Sequence, residues 1–390
     1  MEKTVLCIYD IRSIQRFIFS GGNDEDRIGA GNLVAEILPE GLTEALKQCG
    51  LTENEYRMDY LSDAEAFAFF EDPGVLAQIV SSGAGSAIMM YRSEALCHRV
   101  NRKLSRYVLE HSYGLQVDIG MIEKTDSFRE DISHLYWEAE RMRSHAFSAR
   151  PMGVLPVAMA EEGTGNPLSV KDPETGELLS SETMHKRGRI PENLYTPGEE
   201  KKIAYIHIDG NDMSLTVNNV MNSTEDYREG IILRRKITAR ITNTWMRALG
   251  QIGESLKARY GEEVYRHYQL LNVGGDDINL RCSEEIALDV AEAFVREIGR
   301  EPLWSSEAMG VIPFSVCVGI AVVPSSYSYQ QGQGMAFRSC GSAKFEAKKP
   351  ENRVNGRAVN WIDLWQVKDP AEQNAEDQNA QDTVVYPHRM

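Results

Sequence analysis

No Cys-x-x-Cys pair occurs in this chain: its six cysteines (Cys7, Cys49, Cys97, Cys282, Cys317, Cys340) lie far apart. That spacing excludes a zinc knuckle and a disulfide frame. It reads as small apolar core residues in a reducing compartment, so a cytoplasmic location is expected. No apolar run approaches the ~20 residues of a membrane span, and the opening MEKTVLCIYDIRSI lacks the apolar core and cleavage site of a signal peptide. Positive charge is also scarce. The 42 Lys and Arg against 58 Asp and Glu leave a net charge of −16. A broad phosphate-binding surface for duplex DNA needs clustered cations and is excluded, whereas a small nucleotide pocket needs only a metal and one or two cations. What is present is ordinary for a globular protein: 390 residues, 42% hydrophobic and 26% charged, enough for two to three domains with a real core.

Organisation follows from apolar periodicity. TVLCIYDI (4–11) predicts a buried strand ending at Asp10, and a helix is expected from about Gly29 to Cys49, broken or kinked at Pro39. VLAQIV and SAIMMY flank Ser82-Gly83-Ala84-Gly85 and predict a hairpin. Leu96, Val100, Leu104 and Val108 mark a helix with Ser93 as N-cap. A strand (115–122) and a helix (131–146) complete the set. The order then recurs: a strand (202–209) ending at Asp209, a long helix from about Glu225 to Tyr260, and a hairpin around Gly274-Gly275. A helix, a strand (314–324) and a further helix follow, with RAVNWIDLW as an edge strand. Strand–helix–hairpin–helix–strand is the ferredoxin-like arrangement. The distance from strand-end Asp to hairpin glycine is comparable in the two copies, 83 − 10 = 73 and 274 − 209 = 65. The expected fold is therefore α+β, two ferredoxin-like (βαββαβ) domains packed as a pseudo-dimer. The domains are read as 1–150, a linker with a small cysteine-free ribbon-like insert at 151–201, 202–366, and an acidic tail without order at 367–390.

The second copy carries the chemistry. Asp209 ends its first strand, and Asp276 and Asp277 follow the Gly274-Gly275 turn, so the three carboxylates can converge at one edge of the sheet. Hard oxygen ligands on rigid strands, beside glycines that let a nucleotide approach the backbone, suit Mg²⁺ (or Mn²⁺) and a triphosphate. Two such ions would acidify an attacking hydroxyl and stabilise leaving pyrophosphate. Lys344 and Lys348 lie four apart on one helix face, where they could meet phosphates or simply face solvent. Gly-Gly-Asp on its own also marks plain hairpin turns. Asp212 reads equally well as a turn cap. His207 is expected to turn away from Asp209 or toward the core, as a packed or hydrogen-bonded histidine.

Together, YIHIDGNDMS, LLNVGGDDINL and the SAKFEAKK helix resemble the Palm module of the nucleotide-polymerising large subunit of type III CRISPR effector complexes. That family is related to diguanylate cyclases (GGDEF proteins) and class III adenylyl cyclases. YDIRSIQRFIFSGG and Arg27-Ile28-Gly29-Ala30 resemble the opening of its first Palm, and GTGNPLSVKDPETGELLSSETMHKR the ribbon between the Palms, without its zinc-binding cysteines. The resemblance covers most of residues 4–366. It implies synthesis of a cyclic adenine-nucleotide second messenger from ATP in antiviral defence. Asp209, Asp276 and Asp277 would be metal ligands, Gly274 and Gly275 would admit the nucleotide, and Lys344 would contact its triphosphate. An acceptor hydroxyl would attack the α-phosphorus and release pyrophosphate.

The first copy departs from this pattern. It has Gly83-Ala84-Gly85-Ser86 where the second has GGDD, so it is expected to bind nucleotide without catalysis, with Asp10 a relic or a structural cap. No His-Asp pair of the family's nuclease domain opens the sequence, and no helical domain follows residue 366, so the usual partner-docking parts are expected to be reduced. The resemblance leaves open GTP in place of ATP, a protein or RNA activator, and a homodimer. A non-catalytic nucleotide-binding or structural subunit is the alternative from another class.

Overall fold

The computed structural model describes residues 3–20, 23–83, 85–145, 158–192, 202–275, 277–367 and 383–389. The chain divides into two units, Met1–Ile190 with Val217–Ala239, and Pro191–Thr216 with Arg240–Met390. In the first, β1 (Val5–Arg12), α1 (Ile14–Phe19), α2 (Asp24–Gln48), β2 (Tyr56–Arg57), α3 (Ala68–Glu71), β3 (Ala77–Gly83) and β4 (Ser86–Tyr91) lead to α4 (Glu94–Ser112), β5 (Gln116–Glu123) and α5 (Phe128–His145). The ribbon β6 (Leu168–Lys171) and β7 (Leu178–Ser180) and the helix α6 (Ser181–Arg187) complete it. The sheet order is β2-β3-β4-β1-β5, with β1 antiparallel to both β4 and β5. That is the ferredoxin-like order with one extra edge strand.

Alternation along β1 sorts its two faces. Val5, Cys7, Tyr9 and Ile11 belong to a core with α2 and α4, including Leu33, Ile37, Leu42, Val100 and Leu104. Asn23 caps α2, which starts five residues earlier than the sequence indicates and contains Pro39 without a break. The ribbon packs with this unit through α6. Lys186 is fully buried, and its ammonium donates to Glu182 (2.6 Å), Phe17 carbonyl and Ser20 (both 2.9 Å). Burial pulls its pKa down, opposed by the Glu182 charge. Removing one partner of a buried pair strands the other, so Lys186→Ala is expected to cost about 3 kcal/mol. A urea midpoint that does not move would refute this.

In the second unit, β8 (Lys202–Gly210), α7 (Met213–Met221) and α8 (Tyr227–Tyr260) precede β9 (Tyr268–Gly274), β10 (Asp277–Ser283) and α9 (Ala287–Ile298). The short pair β11 (Trp304–Ser306) and β12 (Gly310–Ile312) leads into β13 (Val316–Pro324), α10 (Tyr329–Lys348), β14 (Trp361–Gln366) and β15 (Thr383–Arg389). Their sheet runs β15-β14-β13-β8-β10-β9, and β8, β9, β10 and β13 again take the ferredoxin-like order. Ala204, Ile206 and Ile208 face a core with Trp245, Leu249, Ile252 and Phe294 of α8 and α9. The other face, bearing Cys317, meets Cys340, Ala343 and Ala347 of α10.

Three sequence boundaries shift. The units divide after Ile190, ahead of residue 202, and again within α7 and α8, so that Val217–Ala239 groups with the first unit. The first part of α8 is held in unit 1 by the fully buried Arg235, whose guanidinium donates to the Ser62 and Ile79 carbonyls, and by Gly230 against the Phe128 ring. The tail expected to lack order supplies β15, antiparallel to β14, so β14 is not an edge strand.

Candidate active site

The site begins with strand register. Asp209 of β8 lies directly opposite Asp277 of β10 on one side and Cys317 of β13 on the other, and Asp277 pairs with Gly274 of β9. One rung of the sheet therefore reads Gly274, Asp277, Asp209, Cys317. Directly paired antiparallel residues hold their side chains within about 5.5 Å at the Cβ atoms, so the two carboxylates are neighbours. The turn between β9 and β10 is fixed from beneath: the Trp245 indole donates to the Gly275 carbonyl at 2.9 Å, and Gly275 takes φ +68°. A Cβ on Gly274 would meet no atom within 4 Å, so the backbone there is open to a ligand. Asp276 lies outside the described residues.

From α10, Lys344 forms an ion pair with Asp209. Burial pulls the Lys344 ammonium down, but the hydrogen bond and charge of Asp209, joined by Asp277, outweigh it and leave its pKa above the ordinary lysine value. A cation thus already sits on the carboxylate edge. Lys348, one turn on, is exposed and makes no ion pair among the described residues. Asp212 belongs elsewhere. With φ +52° it accepts from Arg353 at 3.0 Å and from the Ala358 amide, so it fastens the 353–358 loop.

His207 is the buried, hydrogen-bonded histidine expected, but it does not turn away from Asp209. Residues two apart on a strand share a face, so it lies beside Asp209 rather than opposite. Its Nδ1 bonds Asn279 Oδ1 at 2.7 Å and its Nε2 is 4.0 Å from Asp277. Burial lowers its pKa against the pull of Asn279 and Asp209, so the ring is neutral at pH 7. A neutral ring donating from Nδ1 keeps its Nε2 lone pair free for a cation. His207, Asp209 and Cys340 bring one ligand atom each within 4.8 Å of one another. Burial raises the Cys340 thiol strongly and pushes Cys317 up to about 12, so both thiols are protonated at neutral pH. The signals for these two residues were in the sequence: the i, i+2 spacing of His207 and Asp209, and the i, i+4 spacing of Cys340 and Lys344.

The residues present fit Mg²⁺ or Mn²⁺. They supply adjacent hard carboxylate oxygens, room above Gly274, and a carboxylate already paired with a cation.

The first unit repeats the plan in altered form. Asp10 pairs with Ser86 where Asp209 pairs with Asp277, and with Asp118 where Asp209 pairs with Cys317. Arg143 of α5 takes the place of Lys344 and forms an ion pair with Asp10. Arg12 holds the buried Asp118 at 2.7 Å.

Fold and site define a protein of two ferredoxin-like domains, the second of which carries the Asp209–Asp277 pair beside a Gly-Gly turn. No family model and no curated protein matches the sequence. Among solved structures, the chain is similar to the Csm1–Csm4 cassette in complex with cA4, with 10% identity over 91% of this chain and 56% of that one, at a TM-score of 0.55. The same cassette with one ATP matches at 11% identity over 88% and 53%, TM-score 0.53. The Csm1–Csm4 subcomplex of the type III-A CRISPR-Csm interference complex matches at 10% over 91% and 56%, TM-score 0.52. The likeness read from the motifs thus extends to the fold, and the chain spans about half the length of the chains it matches. Among the described residues, no helix is long and apolar enough to cross a membrane.

Proposed function

We propose that the chain is a nucleotidyl cyclase that joins ATP into a cyclic oligoadenylate, as a subunit or relative of type III CRISPR machinery. The observation that carries this is the register pair Asp209–Asp277 beside the Gly274-Gly275 turn, with Lys344 on Asp209. The ATP and cA4 complexes of the structural neighbours support the choice of nucleotide. Asp209, Asp277 and their sequence neighbour Asp276 would hold Mg²⁺ or Mn²⁺, which when bound supplies Lewis acidity at the phosphates and lowers the pKa of the attacking hydroxyl. Gly274 and Gly275 admit the nucleotide to the backbone. Lys344, released from Asp209, binds its triphosphate, and Lys348 extends that positive face.

Incubation with ATP and Mg²⁺ or Mn²⁺ should release pyrophosphate and give a cyclic product by mass spectrometry. No turnover with any nucleotide mixture, with or without candidate protein and RNA partners, would sink the proposal.

The first unit takes no part in the chemistry on this reading, since Ser86 stands where Asp277 does. Asp10→Asn is expected to leave turnover unchanged and, as a partly exposed ion pair, to cost less than about 1 kcal/mol. A loss of turnover matching that of a carboxylate variant in the second unit would place Asp10 in the reaction instead.

A further inference from the structure

Two rungs deeper in the second sheet, on the same face as the carboxylates, Asn272 pairs with Asn279 and Asn279 with His207. The side chains form a ladder. Asn279 donates to Asn272 Oδ1 at 2.7 Å, and its own Oδ1 accepts from His207 Nδ1 and from Gln333 of α10. Gln333 is 6% exposed, and its Oε1 is buried without a hydrogen-bond donor among the described residues. Beside the ladder, Phe337 lies 5.1 Å from the His207 ring and leaves 57% of its surface exposed.

The fold does not require this polarity. In the first unit, two rungs below Asp10, Ile8 pairs with Ile88, the counterparts of His207 and Asn279. Counting back from the two cations, 143 − 132 = 344 − 333 = 11, so the counterpart of Gln333 is Ile132, which is buried. The same sheet face beneath the same helix therefore carries three isoleucines beside Ser81, the counterpart of Asn272, in one copy, and His, two Asn and Gln in the other. Burying side-chain amides costs free energy that an aliphatic packing avoids, and here one acceptor is left unmet.

We infer that the Asn272–Asn279–Gln333 ladder and the Phe337 ring form the nucleobase subsite of the second unit and that it selects adenine. This rests on the nucleotidyl-transfer reading above. Two residues of strand, about 6.7 Å, separate the carboxylate rung from the ladder, which leaves room for one ribose between phosphate and base. An exposed aromatic ring offers a stacking face that any base can use. The choice among bases comes from the missing donor. Adenine presents its amino group where guanine presents a carbonyl oxygen, and Asn and Gln are the side chains suited to pair an adenine edge. Along the N7 edge, a ladder short of one donor is completed by the adenine amino group and opposed by the guanine carbonyl oxygen, whereas the donors of guanine lie on its N1 and N2 side.

Binding of ATP, GTP and inorganic tripolyphosphate in the presence of Mn²⁺, measured by calorimetry, tests this. Wild type should bind ATP more tightly than GTP. Phe337→Ala should weaken both nucleotides by roughly fivefold to a hundredfold while leaving tripolyphosphate unchanged, and Phe337→Trp should restore them. Asn279→Ile and Gln333→Ile, which install the residues of the first unit, should abolish the preference for ATP over GTP. ATP binding that Phe337→Ala leaves intact, or a preference for ATP that survives both isoleucine variants, overturns the subsite alone. Failure of wild type to bind any nucleotide overturns the proposed function and the subsite with it.

Discussion

Asp277→Asn should lower ATP turnover on the order of a thousandfold while leaving the fold intact, because removing one electrostatic partner of a phosphoryl centre costs that much in rate. Asparagine keeps the shape of the side chain and one oxygen but loses the charge that a divalent cation needs. The side chain is 40% exposed, so little stability depends on it, and a substitution there stays within about 0.5 kcal/mol. Asp209→Asn should be equally inactive yet behave differently in unfolding experiments. It leaves the half-buried Lys344 ammonium without its counter-charge, and the second unit should lose stability along with activity. The pair of variants separates chemistry from architecture: pyrophosphate release is lost in both, and the thermal midpoint falls in only one. Turnover retained in Asp277→Asn would remove the carboxylate pair from the reaction. Nucleotide bound by the wild type and by both variants, with turnover in none of the three, would leave a binding module.

Much of this site was legible before any coordinates because its carriers are local. Asp209 closes an apolar run, and Gly274-Gly275 interrupts another, so strand ends and a turn were set by periodicity and by glycine. The repeat then ordered the strands. What periodicity could not give is which residues stand opposite one another. The rung Gly274, Asp277, Asp209, Cys317 depends on register, and register is fixed by which face meets α8 and α9 and which meets α10. His207 is packed and hydrogen-bonded as its sequence context indicates, but its place beside Asp209 needed that face assignment. The amide ladder escaped notice for a related reason: Asn272, Asn279 and Gln333 come from three elements and look unremarkable in sequence. The grouping of Val217–Ala239 with the first unit depends on the buried Arg235, which an amphipathic pattern reads as a solvent-facing charge. The strand β15 lies beyond a polar stretch whose composition signals disorder, and its pairing with β14 is non-local.

Gly319→Ala should be the most damaging single methyl in the second unit. A Cβ there would lie 2.1 Å from both the Ala336 carbonyl oxygen and the Cys340 amide nitrogen, backbone atoms of α10 that cannot yield as a side-chain tip can. The small residues along that helix are what allow it so close to the sheet: Gly332 presses on the Tyr205 ring, and Ala336, Ala343 and Ala347 are buried. Overpacking of this kind costs about 3 kcal/mol at the upper end of its usual range. For a domain of this size the thermal midpoint should drop by roughly 6–12 °C. The functional consequence follows from what α10 carries. Gln333, Cys340 and Lys344 face the sheet and the exposed Phe337 stands beside His207, so lifting the helix withdraws the phosphate lysine and the base-stacking ring together. ATP binding should therefore weaken more in Gly319→Ala than in Phe337→Ala, with tripolyphosphate binding lost as well. At the corresponding position in the first unit, a Cβ on Gly120 would lie 2.9 Å from the Ala139 amide, so both units depend on the same close approach of helix to sheet. A Gly319→Ala protein with an unchanged midpoint and unchanged tripolyphosphate affinity would mean that α10 can move without disturbing Lys344, and that the ion pair with Asp209 is not set by the seating of the helix.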